Sequence, residues 1–108
     1  MVEKFFTPKE ANQILPDVRK IVEEILSKVR EEPVPEQRIK ALMTQLEDMG
    51  CHYKDWNFEI GLVDFPAIIH GQEALLCWRS DEPQVAWFHG YEDGYAGRRP
   101  ITRELIFS

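Results

Sequence analysis

Two side chains of this sequence are suited to proton transfer, Asp64 and His89. Asp64 stands inside the apolar run Leu62–Pro66, where a charge is costly unless it is paired or hydrogen-bonded. His89 follows two aromatic residues, and the reference pKa of an imidazole is about 6.5. The pair would act as general acid and base if both side chains met in one concave site. Each also has a plainer interpretation, Asp64 as a structural partner for an arginine or for loop N–H groups and His89 as a hydrogen-bonded packing residue.

The loop Gly90–Pro100 is the second candidate region. Its glycines permit close approach of a ligand to the backbone, and Arg98 and Arg99 offer planar donor forks that suit a carboxylate or a phosphate. The Gly-Lys-Ser/Thr ending of a phosphate-binding P-loop is absent. Either the loop binds an anion, or Glu92 and Asp93 just upstream pair with Arg98 and lock the loop.

Aromatic side chains crowd the C-terminal half of the chain, where they form either a small-molecule pocket or the core of a small sheet. The candidate ligand-binding residues are Arg98, Arg99, Trp87 and Tyr95.

Metal binding receives no support from residue spacing. The potential ligands are His52, His70, His89, Cys51, Cys77 and Asp64. They form neither a Cys-x-x-Cys pair nor a His-Glu-x-x-His helix. We therefore predict no metal and no cofactor.

Cys77 lies among apolar strand residues, which predicts a buried, inert thiol rather than a nucleophile working with His89.

Two amphipathic helices are predicted within residues 1–50. Thr7-Pro8-Lys9-Glu10 fits a capping box, and apolar residues then recur with helical spacing from Ile14 to Val29. Pro16 predicts a kink near this position or a division into two helices. A second apolar stripe runs from Ile39 to Met49, so the two helices should form an antiparallel hairpin.

Residues 51–108 predict an antiparallel β meander with a C-terminal loop. The predicted strands are Leu62–Ile69, Glu73–Arg79, Gln84–His89 and a short final strand, Ile101–Phe107.

The turns decide which side chains share a face of this sheet. A two-residue turn at His70-Gly71 would pair Asp64 with Cys77 and would turn the apolar face that carries Trp78 toward the helices. A four-residue turn at 80–83 would then place His89 on the Trp78 face, away from Asp64. A turn one residue longer or shorter reverses that placement.

Size and charge limit the classes of protein. The chain has 108 residues, with 13 Lys+Arg against 19 Asp+Glu and a net charge of −6. This length predicts a single domain over residues 1–108, and the acidic balance argues against nucleic-acid binding. No segment has the roughly 18 apolar residues of a membrane span or the apolar stretch of a signal peptide. We therefore expect a cytoplasmic protein with no membrane partner.

Separated blocks of the chain form a recognisable pattern. They are Phe6–Pro16, Gly61–Ala67, Gly71–Trp78, Trp87–His89 and Gly94–Arg98. In this order they resemble a small bacterial and archaeal family catalogued as domain of unknown function 2203. Some relatives have Arg where this chain has Gln72, and Trp-His in place of Phe88-His89. The resemblance implies a short cytoplasmic protein whose strongest motifs lie in the C-terminal half, and it implies no activity.

Taken together, these patterns predict an α+β fold in which an N-terminal helical hairpin packs on one face of a three- or four-stranded antiparallel sheet. The function predicted first is a non-enzymatic ligand-binding or assembly module acting as a homodimer, which an open edge of the sheet would favour. Its working surface would be the region of Asp64, His89 and Arg98 with the aromatic residues, which could take a small anionic ligand. One alternative is a small hydrolase or lyase that uses Asp64 and His89 with Arg98 as anion anchor. The other is a helical adaptor that binds a protein partner through residues 8–49.

Overall fold

A computed structural model describes residues 4–54 and 60–102 of the chain. Its elements, in chain order, are α1 (Pro8–Lys28), α2 (Glu36–Asp48), β1 (His52–Tyr53), β2 (Leu62–Ile69), β3 (Gln72–Arg79), β4 (Trp87–His89), a 3-10 turn (Tyr95–Gly97) and β5 (Arg99–Pro100). The strands form one antiparallel sheet in the order β1-β2-β3-β4-β5. The predicted α+β class is confirmed, and the two-residue strands β1 and β5 extend the predicted sheet.

The predicted final strand is only partly within the described residues. Ile101 is buried and Thr102 is exposed, and neither belongs to a strand, whereas the sheet ends at β5 just before them. The rest of the range Ile101–Phe107 lies outside the described part of the chain.

The first helix begins as predicted and then passes through its proline. Glu10 N–H donates to Thr7 Oγ1 at 3.1 Å, and Thr7 N–H donates to Glu10 Oε1 at 2.9 Å, which completes the capping box. The helix continues through Pro16, so a division into two helices is wrong. Pro16 is exposed, while Leu15 and Val18 on either side of it are buried in the core. Their packing offsets the roughly 3 kcal/mol that an interior proline costs.

The two helices run side by side in opposite directions. Glu24 pairs with Arg38 close to the connecting loop, whereas Asp17 and Lys20 border the same groove as Gln45 and Met49 at the other end. The helical hairpin is therefore confirmed.

The apolar stripes of both helices pack against the sheet. Residues Ile21 and Ile25 of α1 and Leu42 and Leu46 of α2 are all buried in the core of this chain. They cannot serve as a docking surface, so the hypothesis of a helical adaptor that binds through this stripe is wrong. Within the described ranges, no helix is both long and apolar enough to cross a membrane.

The hairpin of β2 and β3 has the predicted register. Asp64 pairs with Cys77 and Val63 pairs with Trp78. His70 and Gly71 have φ values of 51° and 78°, as a two-residue type I′ turn requires at both central positions. Trp78 and Val63 consequently face the helices and are fully buried.

The connection between β3 and β4 is longer than predicted, and this changes the face on which His89 lies. It spans residues 80–86 instead of 80–83, and His89 pairs with Leu75. His89 therefore lies on the face of Asp64, which is the reversed placement that the sequence left open for a connection of a different length.

Contacts with α1 account for the longer connection. Val85 is buried in the core, and its N–H donates to Asn12 Oδ1 at 2.7 Å while its carbonyl accepts from Asn12 Nδ2 at 3.1 Å. Arg19 donates to the carbonyls of Glu82 and Pro83. Because α1 holds residues 82–85 against the core, strand pairing resumes only at Trp87.

Gly61 is expected to be sensitive to substitution. A Cβ at this position would collide with Cγ1 of the fully buried Val22 and lie 3.3 Å from Ser80 Cβ. We expect Gly61→Ala to lower the free energy of unfolding by about 1–3 kcal/mol, as overpacking typically does. Urea denaturation measures this loss.

Gly90→Ala is the matched control. A Cβ at Gly90 would meet the carboxylate of Asp93, an exposed side chain that can move aside. We expect a change within about 0.5 kcal/mol. Equal losses for the two variants would contradict the packing of Gly61 against α1.

Candidate functional site

Three buried side chains with acid, thiol and imidazole groups meet on the outer face of the sheet, which is the face turned away from the helices. Asp64 lies on β2, Cys77 on β3 and His89 on β4. The strand register places Asp64 beside Cys77, and it places His89 beside Leu75, two residues before Cys77 on the same face. The carboxylate, Sγ and imidazole nitrogen atoms all lie within 4.8 Å of one another. We call these three residues the buried triad.

The hydrogen bonds of His89 define its tautomer. Its Nδ1 lies 2.8 Å from the carbonyl oxygen of Gly90, and because a carbonyl only accepts, Nδ1 carries a proton and donates it. Nε2 lies 3.3 Å from Asp64 Oδ1. Nε2 of a neutral His89 and an ionised Asp64 are both acceptors, so a proton shared between the two groups is needed to make this contact favourable.

The surroundings of Asp64 shift its pKa upward. Burial raises the pKa of this carboxyl above its usual range, although the charges of His89 and Lys54 and a hydrogen bond from Cys77 act in the opposite direction. The pair Asp64–His89 therefore has the proximity that acid–base chemistry requires.

Cys77 is a protonated thiol at neutral pH. Burial, followed by the negative charge of Asp64, raises the pKa of Cys77 to about 12. A thiol with such a pKa is a poor nucleophile, which agrees with the inert thiol expected from the sequence.

A pocket of about 280 Å³ opens above the buried triad. It is lined by Lys54, Leu62, Asp64, Leu75, Cys77, His89, Tyr91, Gly94 and Tyr95. Lys54, Tyr91, Gly94 and Tyr95 are exposed and form its mouth, whereas the buried triad and Leu75 form its floor. The pocket thus joins an aromatic rim and one ammonium group to a polar floor.

Arg98 lies outside this pocket and locks the loop that forms the rim. Its Nη2 donates to Glu82 Oε1 at 2.7 Å and to the carbonyl of Cys77 at 3.1 Å. Its guanidinium stacks 5.0 Å from the ring centroids of both Trp87 and Tyr95. Arg98 therefore holds the loop in place, as one of the two interpretations of the sequence proposed. Its carboxylate partner is Glu82, so the predicted pairing of Arg98 with Glu92 or Asp93 is wrong.

The remaining sequence candidates are divided between the rim and the surface. Tyr95 lines the pocket, and its hydroxyl accepts a hydrogen bond of 2.6 Å from Arg79 Nη1. Arg99 is mostly exposed and lies over the ring of Phe88, with Asp93 Oδ2 at 3.9 Å. Trp87 supports Arg98 and does not line the pocket.

Lys54 and Tyr91, which bring an ammonium group and a phenol to the pocket, were not among the candidate site residues derived from the sequence. Lys54 directly follows β1, which is only two residues long, and so short a strand leaves no periodic pattern. Tyr91 stands in the glycine-containing loop among other aromatic residues. Its aromatic type marked it as a general pocket former, but spacing does not connect it with Asp64.

The chain belongs to the family described as "Uncharacterized conserved protein (DUF2203)", whose family model matches residues 30–101. The match includes α2, all five strands and the buried triad. The block Phe6–Pro16, which contributed to the resemblance seen in the sequence, lies before the matched range. Neither a curated protein nor a solved structure matches the chain.

The two neighbouring arginines should differ sharply in their contribution to stability. Removing Arg98 leaves the Glu82 carboxylate, which is only 15% exposed, without its charged partner. We expect Arg98→Ala to cost at least about 2 kcal/mol, somewhat less than the roughly 3–5 kcal/mol found for fully buried pairs. Thermal and urea unfolding measure the difference.

Arg99→Ala is the matched control, since the Arg99 side chain is 61% exposed. Its effect should stay within about 0.5 kcal/mol. If Arg98→Ala is as stable as Arg99→Ala, Arg98 does not lock the loop.

Proposed function

We propose that this protein binds a small organic anion in the pocket of the outer face, with Asp64 and His89 as polar contacts at its floor. The observation that carries the proposal is the convergence of three buried ionisable side chains beneath a pocket that reaches the surface. Buried polar groups are costly to a small domain, and a concave site with a few convergent polar groups is typical of ligand binding.

The pocket favours a ligand of limited size with an apolar body. Its volume of about 280 Å³ lies just below the roughly 300–1,000 Å³ of small-molecule sites. Leu62, Tyr91 and Tyr95 offer an apolar and aromatic wall above the buried Leu75 of the floor. The exposed ammonium of Lys54 at the mouth would attract a carboxylate or a phosphate. Lys54 therefore takes the role of anion anchor that the sequence suggested for Arg98.

A second candidate function is acid–base catalysis by a small hydrolase or lyase. The 3.3 Å contact between His89 Nε2 and Asp64 Oδ1 favours it, because a shared proton at the floor of a pocket can be passed to or from a bound molecule. Arg98 is paired with Glu82, so in this mechanism too the anion would be held by Lys54.

Titration with benzoate and butyrate at millimolar concentration tests ligand binding, with amide chemical shifts of isotope-labelled protein as the readout. We expect saturable shifts at Leu62, Leu75 and Gly94. Leu62→Trp should abolish them by filling the pocket from its rim. Lys54→Gln should weaken binding by up to about fivefold, the size expected of an exposed ion pair.

Ile68→Trp is the matched control. Ile68 lies on the same strand and the same face as Leu62, is 49% exposed and does not line the pocket. This variant should bind the carboxylates as the wild type does. Absence of pocket shifts in the wild type would show the binding proposal to be wrong, and conversion of a bound carboxylate into a product would favour the catalytic candidate.

We also propose assembly as a homodimer. The β1 strand pairs with Val63 and Asp64 of β2, and the Phe6 N–H donates to the Pro66 carbonyl at 2.7 Å. The end of this edge near the exposed Ile68 is the part on which a second copy could add a strand. Light scattering at micromolar concentration should give about twice the chain mass of 12.7 kDa, and Ile68→Lys should reduce the mass to that of one chain. A wild-type mass of one chain would refute the dimer.

A further inference from the structure

We propose that Asp64, Cys77 and His89 bind one divalent transition-metal ion of the zinc type, whose fourth coordination position faces the pocket. The inference rests on the proposed use of this pocket as a binding site and names an occupant of its floor. It was not foreseen from the sequence, where the absence of short ligand spacings argued for no metal.

The spacing of the three donor groups fits a tetrahedral centre. Metal–ligand bonds of about 2.0–2.3 Å place neighbouring ligand atoms of such a centre roughly 3.3–3.8 Å apart. His89 Nε2 and Asp64 Oδ1 are already 3.3 Å apart. The widest separation in the buried triad is below 4.8 Å, so closure around an ion requires side-chain adjustments of about 1 Å.

The second hydrogen bond of His89 prepares it as a ligand. Its Nδ1 donates to the Gly90 carbonyl at 2.8 Å, which leaves the lone pair of neutral Nε2 directed toward Asp64. Histidines that bind metals usually donate their other ring N–H to a carbonyl or carboxylate in this way. Without a proton between them, His89 Nε2 and the Asp64 carboxylate would be two acceptors in unfavourable contact. A metal ion removes this repulsion, because both acceptors could bind it.

Charge and donor type identify the class of ion. Binding of the ion would release the thiol proton of Cys77 and the proton shared between Asp64 and His89 to solvent. The resulting ionised Asp64, Cys77 thiolate and neutral His89 carry a total charge of −2, which one divalent ion neutralises. Such compensation matters here because all three residues are buried and an unbalanced charge is costly. A set of one thiolate, one imidazole and one carboxylate favours Zn²⁺ or Co²⁺ over Mg²⁺ and Ca²⁺, which prefer oxygen ligands.

The sheet holds the donors in a preorganised arrangement. Each side chain comes from a different one of three adjacent strands, and the ladder of backbone hydrogen bonds determines their relative positions. Open coordination toward the pocket distinguishes this arrangement from closed structural zinc sites with four protein ligands.

Cobalt titration of tag-free, reduced and chelator-treated protein tests the proposal. We expect one Co²⁺ per chain with an ultraviolet thiolate-to-cobalt charge-transfer band, and displacement of Co²⁺ by Zn²⁺. Cys77→Ser should abolish the band. Asp64→Asn and His89→Gln should lower the affinity at least about tenfold, since loss of even an outer-shell partner costs about 10–100-fold.

Cys51→Ser is the matched control for the thiol. Cys51 is also fully buried, but its Sγ donates to the Leu46 carbonyl on the helix side of the sheet, so this variant should keep the band. Circular dichroism establishes that each variant is folded. If Cys77→Ser does not fold, Asp64→Asn and His89→Gln decide the question.

Absence of saturable cobalt binding by the wild type, or wild-type affinity in folded Asp64→Asn and His89→Gln, would overturn the proposal. Benzoate titration of the metal-free protein and of the zinc-treated protein distinguishes failure of the metal site from failure of the proposed binding of an organic anion. Benzoate binding without metal binding refutes the metal site alone, and metal binding without benzoate binding refutes the organic-anion site alone.

Discussion

The register of the β2–β3 hairpin is the constraint on which the rest of the structure depends. The type I′ turn at His70 and Gly71 and the apolar face of the hairpin agree on a single pairing. A slip of one residue would turn Asp64 toward the helices and expose Trp78 and Phe65, at a cost of about 1.5–3 kcal/mol for each of these large side chains. The pairing that builds the core therefore also directs Asp64 and Cys77 to the outer face.

Glu82 connects the helix layer with the site. Its backbone carbonyl accepts hydrogen bonds from Trp78 Nε1 and from Arg19 of α1. Its carboxylate accepts from the N–H of Arg79 and from Arg98. Together with the bonds between Asn12 and Val85, these contacts determine where β4 begins. A helix on one side of the sheet thereby decides which residue of β4 reaches the other side beside Asp64.

The composition of the outer face points to function more than to packing. Apolar side chains of similar volume in place of the buried triad would avoid the cost of burying a carboxyl, a thiol and an imidazole, as replacements of other buried polar clusters have shown. The helical half contains no comparable cluster within its described residues, since its buried side chains are those of an apolar core. We therefore propose the outer face of the sheet, with the loop that carries Tyr91 and Tyr95, as the working surface of the molecule.

The sequence by itself determined the features that depend on neighbours along the chain. The Thr7–Glu10 capping box, the helical periodicities and the turn at His70 and Gly71 act over a few residues, so the helices and the pairing of Asp64 with Cys77 followed from them. The tertiary structure alone decided the face of His89 and the partner of Arg98. Both depend on the path of residues 80–86, which Asn12 and Arg19 hold from more than sixty positions away. A rule based on spacing cannot detect such a contact, nor can it detect a triad drawn from three separate strands.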